Sequence, residues 1–191
     1  MEKKTPTTDI NINVDYYREI YNEWDFSPLN NSDLDDDLFE YLEESASEIP
    51  KKHKIRIIFH IPPSIQDTEK EKKGIEGMRN YFNYYIKKYN YKLKLEKRNS
   101  VAYGIFGLFL LFIGSLLERI IPEVIFADFL IEGFFIGGWV LFWELFSTLF
   151  FRQGKINERI SNFKRLFNAD IIYIADRSEQ LFHVKQFTKD S

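Results

Sequence analysis

The segment EGFFIGGWVLFWELFSTLFF, residues 132–151, decides the fold class of this 191-residue chain. After its first residue it holds one charged side chain, Glu144, in an otherwise apolar run that is rich in aromatic residues and glycine. A second stretch without charge, VAYGIFGLFLLFIGSLL, covers residues 101–117. As helices, the two stretches would each rise about 25–30 Å, close to the ~30 Å hydrocarbon core of a bilayer. They therefore predict a membrane α-helical hairpin, two transmembrane helices within residues 101–151.

The charges that flank the hairpin predict its orientation. Bases are concentrated just before the first span and just after the second: Lys87, Lys88, Lys92, Lys94, Lys97, Arg98, Arg152, Lys155, Arg159, Lys164 and Arg165. The connection between the spans has only Arg119, against Glu118 and Glu123. By the positive-inside rule, we expect a multi-pass protein of the cell (inner) membrane with both termini in the cytoplasm. Because the bases lead straight into an apolar segment, a membrane flank is favoured and no nucleic-acid partner is expected.

The flanking segments predict a cytoplasmic α+β module built from both sides of the hairpin. Within residues 51–100, KIRIIFHIPP (54–63) has the composition of a strand, and a helical pattern runs from Thr68 into the first span. Within residues 152–191, an amphipathic helix follows the second span and precedes a strand, DIIYIAD (170–176). A lone strand is unstable, so we expect the two strands to pair with each other or with another subunit.

Residues 1–50 differ from the rest in charge. They carry 14 acids and three bases, whereas residues 51–191 carry 15 acids and 23 bases. We interpret this region as an acidic N-terminal arm, polar and frayed over residues 1–13 and holding one or two amphipathic helices, the second capped by Asn31 or Ser32. Three arrangements stay open: the arm folds onto the basic remainder, stays solvated, or meets a separate basic partner.

No pattern in the chain predicts catalysis. The absence of cysteine excludes disulfides, zinc–thiolate sites and thiol nucleophiles. His53, His60 and His183 do not have the spacing of metal ligands, and no Ser–His–Asp set or phosphate-binding glycine loop occurs. We therefore expect no enzyme, no catalytic residue, no metal and no cofactor. The first residues lack an apolar signal region, so insertion is expected to depend on the hairpin.

The second span also carries a family resemblance. Its motif residues are Glu132, Gly133, Ile136, Gly138, Trp139 and Val140. This E-G-x-x-I-x-G-W-V pattern, together with the strand ending in HIPP and the helix that follows, is similar to an uncharacterised prokaryotic family of two-span membrane proteins. The resemblance covers residues 28–175 and implies the hairpin and a cytoplasmic strand–Pro–helix module, but no activity. Members of that family often continue with Arg-Pro, where this chain has WELFSTLFF.

Small residues and acids predict how the hairpin packs. The expected helix-packing glycines are Gly104, Gly107, Gly114, Gly133 and Gly137. Matching antiparallel depths places Gly114 near Gly137 or Gly138, and Gly107 near Glu144. Asp128 and Glu132 lie one helical turn apart and are expected at the outer interface.

Glu144 is the expected membrane-embedded acid, and an ionised carboxylate in a span is costly. Three interpretations stay open: a carboxyl group that is protonated or hydrogen-bonded to Tyr103, Ser147 or Thr148, a pore lining, or an ion pair with Arg98 or Arg152. The leading functional prediction is an oligomeric, non-enzymatic scaffold or interaction protein in the lipid bilayer, with a homo-oligomeric assembly and a cytoplasmic protein partner. The alternative is an oligomeric ion or proton channel lined by Glu144, together with Asp128 and Glu132.

Overall fold

The computed structural model describes residues 5–25, 27–28, 32–121 and 125–176. Its elements are β1 (Thr7–Asn13), α1 (Asp36–Glu48), β2 (Lys54–Ile61), α2 (Thr68–Ile120), α3 (Ile125–Ser147), α4 (Gln153–Phe167) and β3 (Asp170–Ala175), with a π turn at Thr148–Arg152 between α3 and α4. The chain is mostly helical and has one small parallel sheet. It divides into two compact units: an α/β unit of Met1–Ile86 with Ser161–Ser191, and a helical unit of Lys87–Ile160.

The sheet of the α/β unit has the strand order β1-β2-β3, and both pairs are parallel. The expected pairing of the strands on either side of the hairpin is confirmed, since Phe59 of β2 is level with Tyr173 of β3. The expectation of a polar arm over residues 1–13 was wrong over Thr7–Asn13, which form β1. In β1, Ile10 and Ile12 alternate with Asp and Asn residues that are rare in strands, so propensity alone did not indicate it.

The strand order explains why the described helices that connect the strands lie on one face of the sheet. Both crossovers, β1 to β2 and β2 to β3, step in the same direction across the sheet. Because such crossovers are almost always right-handed, their helices lie on the same face. On that face Ile57, Phe59 and Ile61 of the central strand are at most 1% exposed. Tyr173 of β3 stacks on Phe59 with ring centroids 5.1 Å apart.

Three helices meet in the core of the α/β unit through Phe39 of α1. Its ring stacks on Phe163 of α4 at 5.5 Å and contacts Tyr81 of α2 edge-on at 5.4 Å. Phe163 and Phe82 are fully buried. The acidic segment thus packs on the rest of the unit through α1 and β1.

Helix α1 is capped at both ends by specific side chains. Asp35 is the N-cap, because its side chain accepts hydrogen bonds from the N–H groups of Asp37 and Leu38. The prediction that Ser32 caps this helix is therefore wrong. Asn31, the other predicted cap, lies outside the described residues. At the other end α1 has no base of its own. Arg165 of α4 supplies one, donating to the carbonyl oxygen of Ala46 at 2.6 Å. A cation there complements the negative end of the helix dipole.

The segment between β1 and α1 is less helical than the sequence indicated. Residues Tyr17–Ile20 form a short 3-10 turn, and the bridge between Tyr21 and Leu34 closes the loop. Ile20 and Leu34 are fully buried, so the loop is part of the core.

The expected continuous helix from Thr68 into the first apolar segment is confirmed: α2 runs for 53 residues and belongs to both units. Its carboxylate cap is Asp67, which accepts from the N–H groups of Glu69 and Lys70. Helix α3, the π turn and α4 follow one another without a break.

Candidate functional site

The helical unit presents a large apolar surface. Two helices, Thr68–Ile120 and Phe126–Phe167, are long and apolar enough to cross a membrane. In their most apolar windows only 17% and 11% of the residues are buried. Trp143, Phe126 and Phe129 are more than 70% exposed. A soluble protein rarely exposes a contiguous patch of this kind, so the surface is compatible with a membrane-spanning hairpin.

Two glycines, Gly107 and Gly138, lie in close contact with the facing helix where the two apolar helices cross. A Cβ atom built on Gly138 would lie 2.7 Å from Cγ of Leu111 and 3.1 Å from the carbonyl oxygen of Gly107. A Cβ on Gly107 would lie 3.1 Å from Phe142 and 3.2 Å from the carbonyl oxygen of Gly138. Ordinary carbon contacts are about 3.5–4.0 Å, so only glycine fits this crossing without a shift.

The other predicted packing glycines differ in their surroundings. Gly104 faces Leu145, Gly114 faces Phe134, and Gly137 faces Leu110, each with a Cβ separation of 3.2–3.3 Å. Gly133 has nothing within 4 Å. Gly138, which the packing prediction paired with Gly114 but left out of the glycine face, lies at the tightest point.

The register of the hairpin also differs from the depth estimate. Gly107 was expected opposite Glu144 but lies against Phe142, and Gly114 was expected opposite Gly137 or Gly138 but lies against Phe134. The helices are therefore displaced by about three residues, or roughly 4 Å, from the register obtained by aligning the ends of the apolar stretches.

Glu144 forms an ion pair within its own chain segment. Nη1 of Arg152 lies 2.8 Å from Oε1 of Glu144, and the two side chains are 52% and 33% exposed. Arg152 was one of the partners considered for this acid. Thr148, considered as a hydrogen-bond partner, is buried instead, and its hydroxyl has no protein partner among the described residues.

The π turn explains how Arg152 reaches Glu144. Eight residues of regular α-helix would rotate Arg152 about 80° away from the acid. In the π turn, the N–H of Gln153 bonds to the carbonyl of Thr148, five residues back. The π turn contains one more residue than a regular helical turn. As a result, Arg152 lies within about 20° of Glu144 around the helix axis. Side chains of a helix also tilt towards its N-terminus, the direction in which Arg152 extends.

The two other acids of α3 are exposed and lie away from this pair in the chain. Asp128 and Glu132 occupy the first two turns of α3, and both are exposed. Among the described residues neither acid forms an ion pair, and the structure does not place them beside Glu144, which lies about three turns beyond Glu132 along the helix.

The α/β unit contains a cleft at the carboxyl ends of its strands. It measures about 680 Å³ and is lined by the segments Tyr16–Tyr21 and Ser64–Asp67, among others. The two acids of the cleft, Asp25 and Asp67, accept hydrogen bonds from nearby groups. Hydrogen bonds from Ser27 and from the N–H of Asp33 lower the pKa of Asp25. The N–H of Lys70 is the main cause of the lowered pKa of Asp67. Both groups are hydrogen-bonded anions rather than proton donors.

No catalytic or metal-binding cluster is found in the described part of the chain. No group of three or more His, Cys, Asp or Glu residues there is placed to hold a metal ion. Nδ1 of His53 pairs with the Thr8 hydroxyl at 2.8 Å, and Nε2 of His60 pairs with Asn11 at 3.0 Å. Both histidines thus have local partners, and His183 lies outside the described residues.

On the second face of the sheet, the part of the chain that the structure describes leaves several side chains exposed to solvent. Arg56 lies between Asp9 and Asp170, at 3.7 and 3.4 Å, and the three side chains are 39%, 41% and 66% exposed. Ile58 and Ile174 lie further along the same face; Ile58 is buried at 7% exposure, whereas Ile174 is 38% exposed. Parallel sheets usually have both faces covered, so this exposure among the described residues is unusual. Sequence reasoning missed it because β1 was not predicted.

Comparison with known proteins found no match. No protein-family model, no curated protein and no solved structure matches this chain.

Proposed function

We propose that this chain is an integral membrane protein in which a two-helix hairpin anchors a cytoplasmic α/β module, and that it acts as a non-enzymatic, oligomeric interaction protein. The exposed apolar surface of α2 and α3 supports the anchoring. The bases on both sides of the hairpin favour cytoplasmic termini.

One observation carries the interaction role: the solvent-accessible face of the parallel sheet. A face with a central Arg56 between two acids, and with Ile174 exposed further along, offers both charge and some apolar area to a partner. A homo-oligomer in the membrane would raise the local concentration of such modules and strengthen weak contacts at the face.

The absence of cysteine makes the topology directly testable. Single cysteines introduced at Lys52 in the module and at Glu118 near the end of α2, both exposed, can be labelled in intact cells with a membrane-impermeant thiol reagent. We expect labelling at position 118 only. Labelling of both sites, or extraction of the protein from membranes by alkaline carbonate, would contradict the membrane proposal.

The interaction role is tested by mass measurement in nanodiscs or mild detergent. We expect an oligomer that is weakened by Ile174→Lys on the accessible face and not by Lys52→Glu on an exposed turn. A strictly monomeric wild type that also retains no protein partner would count against the proposal.

The channel alternative has less support. Arg152 already compensates the charge of Glu144, so the acid is explained without a pore. Ion flux through liposomes that is lost on Glu144→Gln would favour the channel.

A further inference from the structure

The register of the helical unit brings bases from distant parts of the sequence to one level. Contacts step along α2 in one direction and along α3 and α4 in the other: Gly114 with Phe134, Gly107 with Phe142, Gly104 with Leu145. The same register continues beyond the apolar region. There Arg159 donates a hydrogen bond to the Tyr89 hydroxyl at 2.7 Å, and the Arg159 guanidinium lies 5.6 Å from the centroid of the Tyr89 ring. The pairing is therefore constant over the whole unit.

This register defines a basic collar (Lys94, Lys97, Arg98, Arg152 and Lys155). Lys97 is level with Arg152, and Lys94 is level with Lys155. All five side chains are exposed. In residues 94–98 and 151–155 the sequence has one acid, Glu96.

The height of the collar matches a lipid headgroup layer. Residues 94–98 of a helix span about 6 Å. A bilayer of about 40–45 Å with a hydrocarbon core of about 30 Å leaves roughly 5–7 Å for the headgroups on each side.

The surface changes abruptly from basic to apolar. Val101, Phe150 and Phe151 adjoin the collar and are 60–72% exposed. A ligand that covers both parts must carry a negative group joined to apolar chains. That chemistry belongs to an anionic phospholipid, and neither a nucleic acid nor free phosphate has it.

We propose that the collar selectively binds anionic phospholipids around the hairpin. This inference rests on the proposed function, because it requires the hairpin to lie in a bilayer. Arg152 has a double role, since it also pairs with Glu144 and so joins the collar to the second span. Bases at such a surface each contribute to the attraction of anionic lipid.

The test measures the lipids that remain bound to the full-length protein. Protein from mixed phosphatidylglycerol and phosphatidylcholine nanodiscs is transferred to detergent, and its lipids are counted by mass spectrometry. The collar variant changes Lys94, Lys97, Arg98 and Lys155 to Gln and leaves Arg152 in place. The control variant changes Lys51, Lys52, Lys72 and Lys73 to Gln, which removes the same charge from the α/β unit.

We expect the wild type and the control to retain phosphatidylglycerol in preference to phosphatidylcholine. Retention in the collar variant should fall by at least roughly tenfold, and 0.5 M salt should weaken it in the wild type, since headgroup attraction is screened. Equal retention of the two lipids by the wild type, or an equal loss in the control, would overturn the inference. This comparison in the wild type does not depend on how well the variant folds.

Two further arms separate the alternatives. Inorganic phosphate that displaces phosphatidylglycerol better than sodium chloride of the same ionic strength would identify a site for free anions and overturn the lipid assignment. Flotation with phosphatidylcholine vesicles tests insertion by itself. Failure to float would overturn both proposals, whereas insertion without lipid preference would overturn only this one.

Discussion

Two glycines of the same helix should respond in opposite ways to the same substitution. Gly138→Ala places a methyl group 2.7 Å from Leu111 and 3.1 Å from the Gly107 carbonyl oxygen, whereas Gly133→Ala meets nothing within 4 Å. Both changes replace glycine by alanine in α3. The helix-propensity gain therefore cancels in the comparison, and only the packing differs.

The magnitude follows from the missing space. A carbon contact of about 3.5–4.0 Å requires Leu111 or the helix to move by roughly 1 Å. Overpacking of this kind costs about 1–3 kcal/mol, and alanine in a helix gains about 1 kcal/mol over glycine. We expect Gly138→Ala to lower the free energy of unfolding by up to about 2 kcal/mol and Gly133→Ala to raise it by up to about 1 kcal/mol.

Trp139 and Trp143 lie in the same helix as both substituted positions and report on α3 by fluorescence. Thermal unfolding in lipid nanodiscs should give midpoints that differ by roughly 2–4 °C for each kcal/mol. Gly107→Ala should resemble Gly138→Ala, and the double variant should be non-additive because the two glycines touch. Equal shifts in the same direction for Gly138→Ala and Gly133→Ala would refute the reasoning about the helix crossing.

Three further predictions concern side chains with specific partners. Arg165→Met removes the donor to the Ala46 carbonyl and should destabilise the α/β unit by about 1.5–3 kcal/mol in urea denaturation. Burial raises the pKa of Tyr21 from 10.0 to about 12. Tyrosine ionises at a lower pH in the unfolded chain, so the contribution of Tyr21 to the free energy of unfolding is complete below pH 10 and is lost between pH 10 and 12. Tyr21→Phe should therefore reduce the fall in the free energy of unfolding measured across this pH range. Arg152→Gln should destabilise the helical unit more than the double change with Glu144→Gln, giving a coupling of about 1 kcal/mol in a thermal double-mutant cycle.

Matched controls make these outcomes decisive. Lys164→Met removes a neighbouring exposed base from α4 and should have little effect, so equal losses would contradict the capping role of Arg165. Tyr16 is 64% exposed, and Tyr16→Phe should leave the alkaline transition unchanged. An additive result for Arg152 and Glu144 would show that their contact contributes nothing to stability.

The paired strands show how far local pattern extends. The segments that form β2 and β3 are rich in β-branched residues, so their strand character is visible in the sequence. β1 has the same alternation, but its outward residues are Asp and Asn, and it becomes a strand through the backbone hydrogen bonds that β2 offers. That partner lies more than 40 residues away in the chain, so no local window contains the information.

The Glu144 site shows a similar limit. The acid stands out in the sequence because charge is rare in an apolar helix. Which of the five candidate partners it contacts (Arg98, Tyr103, Ser147, Thr148 or Arg152) depends on helical phase. A single extra residue in the π turn changes that phase by about 100°. A regular helix drawn on the sequence turns Arg152 away from the acid.

The sequence by itself determined the two apolar helices, the continuous helix α2, the strands β2 and β3, and the concentration of bases beside the hairpin, because each depends on composition and period within one segment. Only the tertiary structure decided that β1 completes a parallel sheet with one accessible face, that Gly138 and not Gly133 lies at the helix crossing, and that Arg152 pairs with Glu144. Those three features depend on the register between segments far apart in the chain, and register is set by the packing of all their side chains together.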